Sequence, residues 1–245
     1  MSMMSSRKPL KKLKFQDLIV RDLENYSIVN KPPFLASLED RADAQNLLSL
    51  AKATNQSYQI CHRLDKETSG IVIFAKNPDA YRNFAMQLEN REVKKVYHAV
   101  IHGLHKFQDF EADEPLYTTS NKSRVDYRGG KASLTLLSTI ELFKKHTFIK
   151  CFPVTGRMHQ IRAHLAHHEA PIVQDTQYGG KEIYLSELKR NYNLGKYEEP
   201  KPMIERVALH AAEIAFKDLD GTVVEATADY PKDFSVLLKL LRKFN

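Results

Sequence analysis

Cysteine is scarce in this chain of 245 residues: Cys61 and Cys151 are the only two. Two thiols cannot build a disulfide framework or a four-cysteine zinc site. Long apolar runs are missing as well. The longest is Ile71 to Ala75, far below the roughly 20 residues that a membrane-spanning helix needs. Met1 to Lys14 is rich in Ser, Met and Lys and lacks the apolar stretch of a secretory leader. Neither a Walker loop nor a G-x-G-x-x-G fingerprint occurs, so no nucleotide cofactor is implied. These absences lead us to expect a cytoplasmic protein with no membrane partner.

What remains is an ordinary globular composition with a basic surplus. Hydrophobic residues make up 42% and charged residues 27%, which suits a chain able to bury a core. Lys and Arg number 37 against 30 Asp and Glu, a formal charge of +7. Such a balance favours a polyanionic partner through counterion release and steering. Arg7 to Lys14 holds five basic residues and no acidic one. Residues 1–14 are therefore expected to form a flexible basic arm, and residues 15–245 a single folded domain.

The patterning mixes strands and helices without regular alternation. Leu18–Val20 and Tyr26–Val29 read as a hairpin that Pro32-Pro33 ends. Asp40–Ala53 has helical spacing. Ile71–Phe74 is a buried strand, and Asn77-Pro78 opens a helix to about Glu89. Val93–Ile101, Leu134–Phe143 and Thr147–Val154 are strand-like, and Met158–His168 is helical. Lys122–Lys131 reads as a basic loop, and Tyr184–Arg206, with Pro200 and Pro202, as a surface insertion. Val207–Phe216 and Val223–Ala228 read as paired strands before a closing helix, Phe234–Phe244. The expected class is α+β, with a mixed, mainly antiparallel sheet.

Two segments concentrate polar chemistry. Cys61-His62-Arg63-Leu64-Asp65-Lys66-Glu67-Thr68-Ser69-Gly70 packs ionisable groups into a loop ahead of a strand, where either a solvated turn or a catalytic loop could stand. Thr155-Gly156-Arg157-Met158-His159-Gln160-Ile161-Arg162 leads into a helix whose arginines could hold phosphate or pair with a carboxylate. His164 and His168 are four apart, but no third ligand stands at metal-site spacing, so no metal is expected.

The motifs in order are Asn30-Lys31-Pro32, His62-Arg63-Leu64-Asp65 with Thr68-Ser69-Gly70, Lys95-Val96-Tyr97 with Ala99, the block Gly156 to Leu165, Asp175 with Tyr178-Gly179, and Leu209-His210-Ala211. Together they resemble the signature of the RluA-type RNA pseudouridine synthases, over about Tyr26 to Ala228. Two departures stand out: Gln174-Asp175 where the family often has Gly-Asp, and Pro33 to Ser37 in place of the usual Gly and His-Pro features.

The resemblance implies the pseudouridine synthase fold with an RNA-binding cleft. The implied activity isomerises uridine to pseudouridine in rRNA or tRNA, with base flipping and no cofactor. Asp65 would be the carboxylate that acts as nucleophile or base, Arg162 its cationic partner, and Tyr97 the ring that stacks on the base. Arg63 would enter the RNA helix in place of the flipped base, and Leu209 would line the pocket. Arg157, His159 and Gln160 would shape the motif or hold phosphate. RNA binding is expected to rest on the catalytic domain and the basic arm, and the protein is expected to be a monomer.

Overall fold

The computed structural model describes residues 13–39, 45–189, 192 and 199–245. Most of the expected basic arm, residues 1–12, lies outside the described residues. A short 3₁₀ turn (Phe15–Leu18) leads into β1 (Ile19–Asp22), which pairs antiparallel with β2 (Tyr26–Lys31). Then come α1 (Leu47–Thr54), β3 (Gln59–Ile60), β4 (Ser69–Ala75), α2 (Pro78–Glu89) and β5 (Lys94–His102). The chain continues through β6 (Phe110–Ala112), β7 (Leu116–Thr118), β8 (Ser123–Val125), β9 (Thr135–Leu142) and β10 (His146–Pro153). It closes with α3 (Gln160–His167), α4 (Leu185–Leu188), β11 (Leu209–Lys217), β12 (Val223–Thr227) and α5 (Lys232–Lys243).

The main sheet runs β1-β2-β4-β11-β5-β10-β9-β6, with β12 on β11 and β3 on β4. Among the described strands only β4 and β11 pair in parallel, with Ser69 opposite His210. The expected mixed, mainly antiparallel α+β architecture is thus what forms. β4 carries the longest apolar run because both its faces are covered. Ile71 and Ile73 pack with Tyr26, Phe84 and Phe216. Val72 and Phe74 pack with Phe15, Leu47 and Tyr58 on the other side. Farther along the sheet, Phe234, Leu237, Leu238 and Leu241 of α5 cover Phe148 and Ile149. No helix among the described residues is long and apolar enough to cross a membrane.

Local chemistry sets the element ends. The Asn77 side chain accepts the Ala80 N–H at 2.9 Å and Pro78 opens the first turn, as expected for α2. α1 starts at Leu47 instead of Asp40, because Asn46 and Ser49 cap each other reciprocally; residues 40–44 lie outside the described residues. α3 starts two residues later than its pattern suggests, because His159 adopts a left-handed φ of 51°. The expected loop over Lys122–Lys131 contains β8, which pairs with β7 in a separate hairpin. The expected surface insertion from Tyr184 to Arg206 is not all surface. Ile204 and Arg206 at its end are each 1% exposed, and Ile204 belongs to the core under α5. Its prolines and charges pointed outward, but the chain must return inward there to start β11.

Candidate active site

The loop ahead of β4 is fixed from beneath by two buried cations. Lys31, fully buried at the end of β2, donates its ammonium to the carbonyls of Pro32, Leu35 and Lys66 at 3.1, 2.8 and 3.2 Å. Arg206 donates to the carbonyls of Glu67, Val207 and Leu209 at 3.1, 3.2 and 3.1 Å. Its other nitrogens fork onto Asp233 of α5 at 2.7 and 3.1 Å. The Ser37 hydroxyl joins the same loop, donating to the Leu64 carbonyl and accepting the Leu64 N–H. Gly70 completes the geometry. Its φ is 117°, and a Cβ there would lie 2.1 Å from the Ala211 carbonyl oxygen. Only glycine lets β4 approach β11 so closely.

From above, the entrance to α3 supplies side chains. Arg162 is 8% exposed. It forks onto Asp175 at 2.7 and 2.8 Å and reaches Gln177 at 3.0 Å. Its remaining nitrogen donates to Asp65 Oδ2 at 3.3 Å. The Tyr178 ring lies against the guanidinium, 4.9 Å away. Burial alone would lower the Arg162 pKa, but the hydrogen bonds and charge of Asp175, with help from Asp65, leave it raised. The left-handed turn at His159 aims the imidazole at Asp65, with Nε2 3.5 Å from Oδ2. The His159 pKa is lowered, by burial first and by Arg162 and Arg63, against the pull of Asp65 and Asp175. Asp65 is therefore flanked by one permanent cation and one neutral ring at neutral pH. The Tyr178 hydroxyl accepts the Ser123 N–H at 2.9 Å and lies 3.2 Å from His159 Nδ1. This ties the β7–β8 hairpin to the same group.

These parts meet in a cleft of about 540 Å³. Tyr97 lies on its floor, fixed in mid-sheet opposite Cys151 of β10 and Ala211 of β11. Burial, aided by the Asp65 charge, raises the Tyr97 pKa and keeps the phenol protonated. A carboxylate beside a guanidinium, in one cleft with a protonated phenol ring, has the chemistry to attack or deprotonate a flat ring bound there.

Every site residue named from the sequence lines this cleft: Asp65, Tyr97, Arg162, Arg63, Leu209, Arg157, His159 and Gln160. They differ in what they can do there. Arg63 and Arg157 are exposed, and Leu209 is buried at the start of β11. Gln160 is 4% exposed and its amide is used internally. It accepts the Thr155 hydroxyl and the Arg157 N–H, and donates to the Leu134 carbonyl and Thr135 Oγ1. This bonding makes it a loop tie. His159 touches Asp65 itself, a contact its motif did not disclose. Asp175, Tyr178 and Lys31 were visible in motifs, but without a role. Asp175 carried a usable signal, since a buried arginine needs a carboxylate.

The chain also matches known proteins. A family model described as RNA pseudouridylate synthase matches residues 25–167. Ribosomal large subunit pseudouridine synthase C of Buchnera aphidicola subsp. Baizongia pistaciae is 32% identical over 238 residues, covering 93% of this chain and 71% of its own length. Ribosomal large subunit pseudouridine synthase D of Escherichia coli is 31% identical over 194 residues, covering 75% of this chain. This chain spans about half the length of the D-type relatives it matches, 55% for that protein and 48% for the Neisseria meningitidis one. The structure of human RNA Pseudouridylate Synthase Domain Containing 4 shares the fold, with a TM-score of 0.69 at 21% identity over 93% of this chain and 95% of that one. The family model and the 32% identical relative place this chain in the RNA pseudouridylate synthase family, as a member of its RluA type.

Proposed function

We propose that this protein isomerises uridine to pseudouridine in large-subunit ribosomal RNA, with Asp65 as the attacking carboxylate. The observation that carries the reading is the Asp65 carboxylate, 3.3 Å from Arg162, in a cleft floored by Tyr97. In the reaction the bond from ribose C1′ to base N1 breaks, the base turns, and C1′ joins C5. C5 loses a proton and N1 carries one at the end, so no atom is gained or lost and no redox step occurs. Arg162 keeps Asp65 charged and oriented. Tyr97 offers its face to a uracil flipped out of the RNA. Arg63 at the mouth fills the space the base vacates, and Arg157 meets the backbone. The chain acts as a cytoplasmic monomer, with residues 15–245 as its catalytic unit and residues 1–14 as a basic arm on the RNA.

The ribosomal substrate rests on the names of the relatives, and a tRNA substrate is the competing outcome. Transcripts of large-subunit rRNA and of tRNA, tritiated at uridine C5, separate the two. Tritium released from the rRNA by wild type and not by Asp65→Ala supports the reading. Release from tRNA alone moves the substrate. No release from either, or release by Asp65→Ala, overturns it.

A further inference from the structure

We infer that Lys95 is a phosphate-binding residue of the cleft, taking an oxygen of the phosphodiester attached to the nucleotide whose base lies on Tyr97. The inference rests on the RNA-modifying function proposed above and adds a contact to it.

Four observations carry it. First, Lys95 stands two residues before Tyr97 on β5, so the two side chains share a sheet face, and both line the cleft. Second, among the described residues the Lys95 ammonium has no hydrogen bond and no ion pair. The other buried cations of the site are all engaged: Lys31 by three carbonyls, Arg206 by carbonyls and Asp233, Arg162 by Asp175 and Asp65. A half-buried ammonium without a counter-charge is unfavourable, and burial lowers its pKa. An arriving anion removes that penalty.

Third, a glycine lies beside the ammonium. Lys95 Nζ lies 3.8 Å from where a Cβ on Gly156 would sit, so no side chain of that residue screens it. Fourth, pairing between β10 and β5 ends at Cys151 opposite Tyr97, and Pro153 has no N–H with which to extend it. The strands part there and open a second hollow of about 630 Å³, which shares Arg91, Val93, Lys95, Pro153 and Val154 with the cleft. Asp109, Glu213 and Glu225 line that hollow together with Arg91 and Lys94, so its own charges are balanced, while Lys95 also faces the cleft that holds Tyr97. The spacing agrees: Lys95 is one strand repeat, about 7 Å, from Tyr97, comparable to the separation of a base from its own phosphate.

Binding of an untreated large-subunit rRNA transcript tests this without turnover. Asp65→Asn protein is compared with Asp65→Asn/Lys95→Met and Asp65→Asn/Lys95→Arg across a salt series. The Met variant should bind about tenfold more weakly. Its slope of log K against log salt should be shallower by roughly 0.7 to 0.9, the value of one phosphate, and the Arg variant should restore most of both. With Asp65 present, Lys95→Met should lose more in kcat/KM than in kcat. Equal affinity and an unchanged salt slope, in a variant with an unchanged melting temperature, would overturn the proposal. A fall in kcat with an unchanged salt slope would overturn it too, by placing the ammonium on the base or sugar. Absence of product from wild-type protein counts against the proposed reaction and leaves the salt slope readable.

Discussion

Asp65 is held from two flanks that work by different means. On the α3 flank, Arg162 and His159 touch the carboxylate itself. On the β2 and β11 flank, Lys31 and Arg206 reach the loop through carbonyls alone, those of the two residues that follow Asp65. Contacts to a carboxylate depend on its charge, so the first flank governs what Asp65 can do. Contacts to peptide oxygens are indifferent to the side chain, so the second governs where Asp65 stands. A site built this way separates chemical tuning from placement, and each can be attacked alone.

The largest effect should come from Asp65→Asn, which removes the charge that the first flank holds and leaves the carbonyls of the second in place. Tritium release should fall by at least about a thousandfold, while the melting temperature stays within about 3 °C. A large loss of stability would mean that the loop is held through its carboxylate after all. Arg162→Met should come next. It strands Asp175, a carboxylate only 1% exposed, and removing one partner of a buried pair costs about 3 to 5 kcal/mol. Urea unfolding should show that loss, and Arg162→Met/Asp175→Leu should recover part of the stability but none of the activity.

Lys31→Met probes the other flank. Burial, reinforced by the Arg206 charge, pushes the Lys31 pKa down to about 7. Between pH 7 and 10 the folded protein therefore holds fewer protons than the unfolded chain, so unfolding free energy rises with pH through this group. Wild type should gain stability over that range relative to Lys31→Met, and equal pH slopes in denaturant melts would contradict it. The smallest effect should be that of Tyr178→Phe, which keeps the ring under Arg162 and removes one hydroxyl. Loss of its bond to Ser123 should cost about 1 kcal/mol, with a several-fold drop in activity through His159.

The sequence made the frame of this division visible and hid its joints. The apolar run of β4 and the Asn77-Pro78 start of α2 are local signals, and both elements form where those signals lie. The start of α3 was misplaced because a left-handed histidine leaves no trace in hydrophobic spacing. The strand at Ser123–Val125 was missed because its hairpin is polar and short. At the site, family motifs singled out Asp65, Tyr97 and Arg162, and all three line the same cleft. Lysine and arginine read as surface residues by composition, so nothing marked Lys31 and Arg206 as buried struts. The loop carbonyls they hold, those of Lys66 and Glu67, are distant in sequence, and only the folded chain brings them together. Gln160 shows the converse, a polar residue in a functional motif whose bonds all serve the loop.

The parallel pairing of β4 with β11, Ser69 opposite His210, has a consequence for how the protein comes into being. The loop that carries Asp65 is written in the first third of the chain, yet its placement waits for Arg206, Ala211 and Asp233. During synthesis, Asp65 leaves the ribosome long before those residues exist. At about 5 to 20 residues per second the interval is on the order of ten seconds. Throughout it, the aspartate stands on a chain whose longest-range contacts are the last to close. With Asp65 in its proposed role, a nascent chain is expected to stay inactive until its final strands are made, so that activity marks completion of the fold.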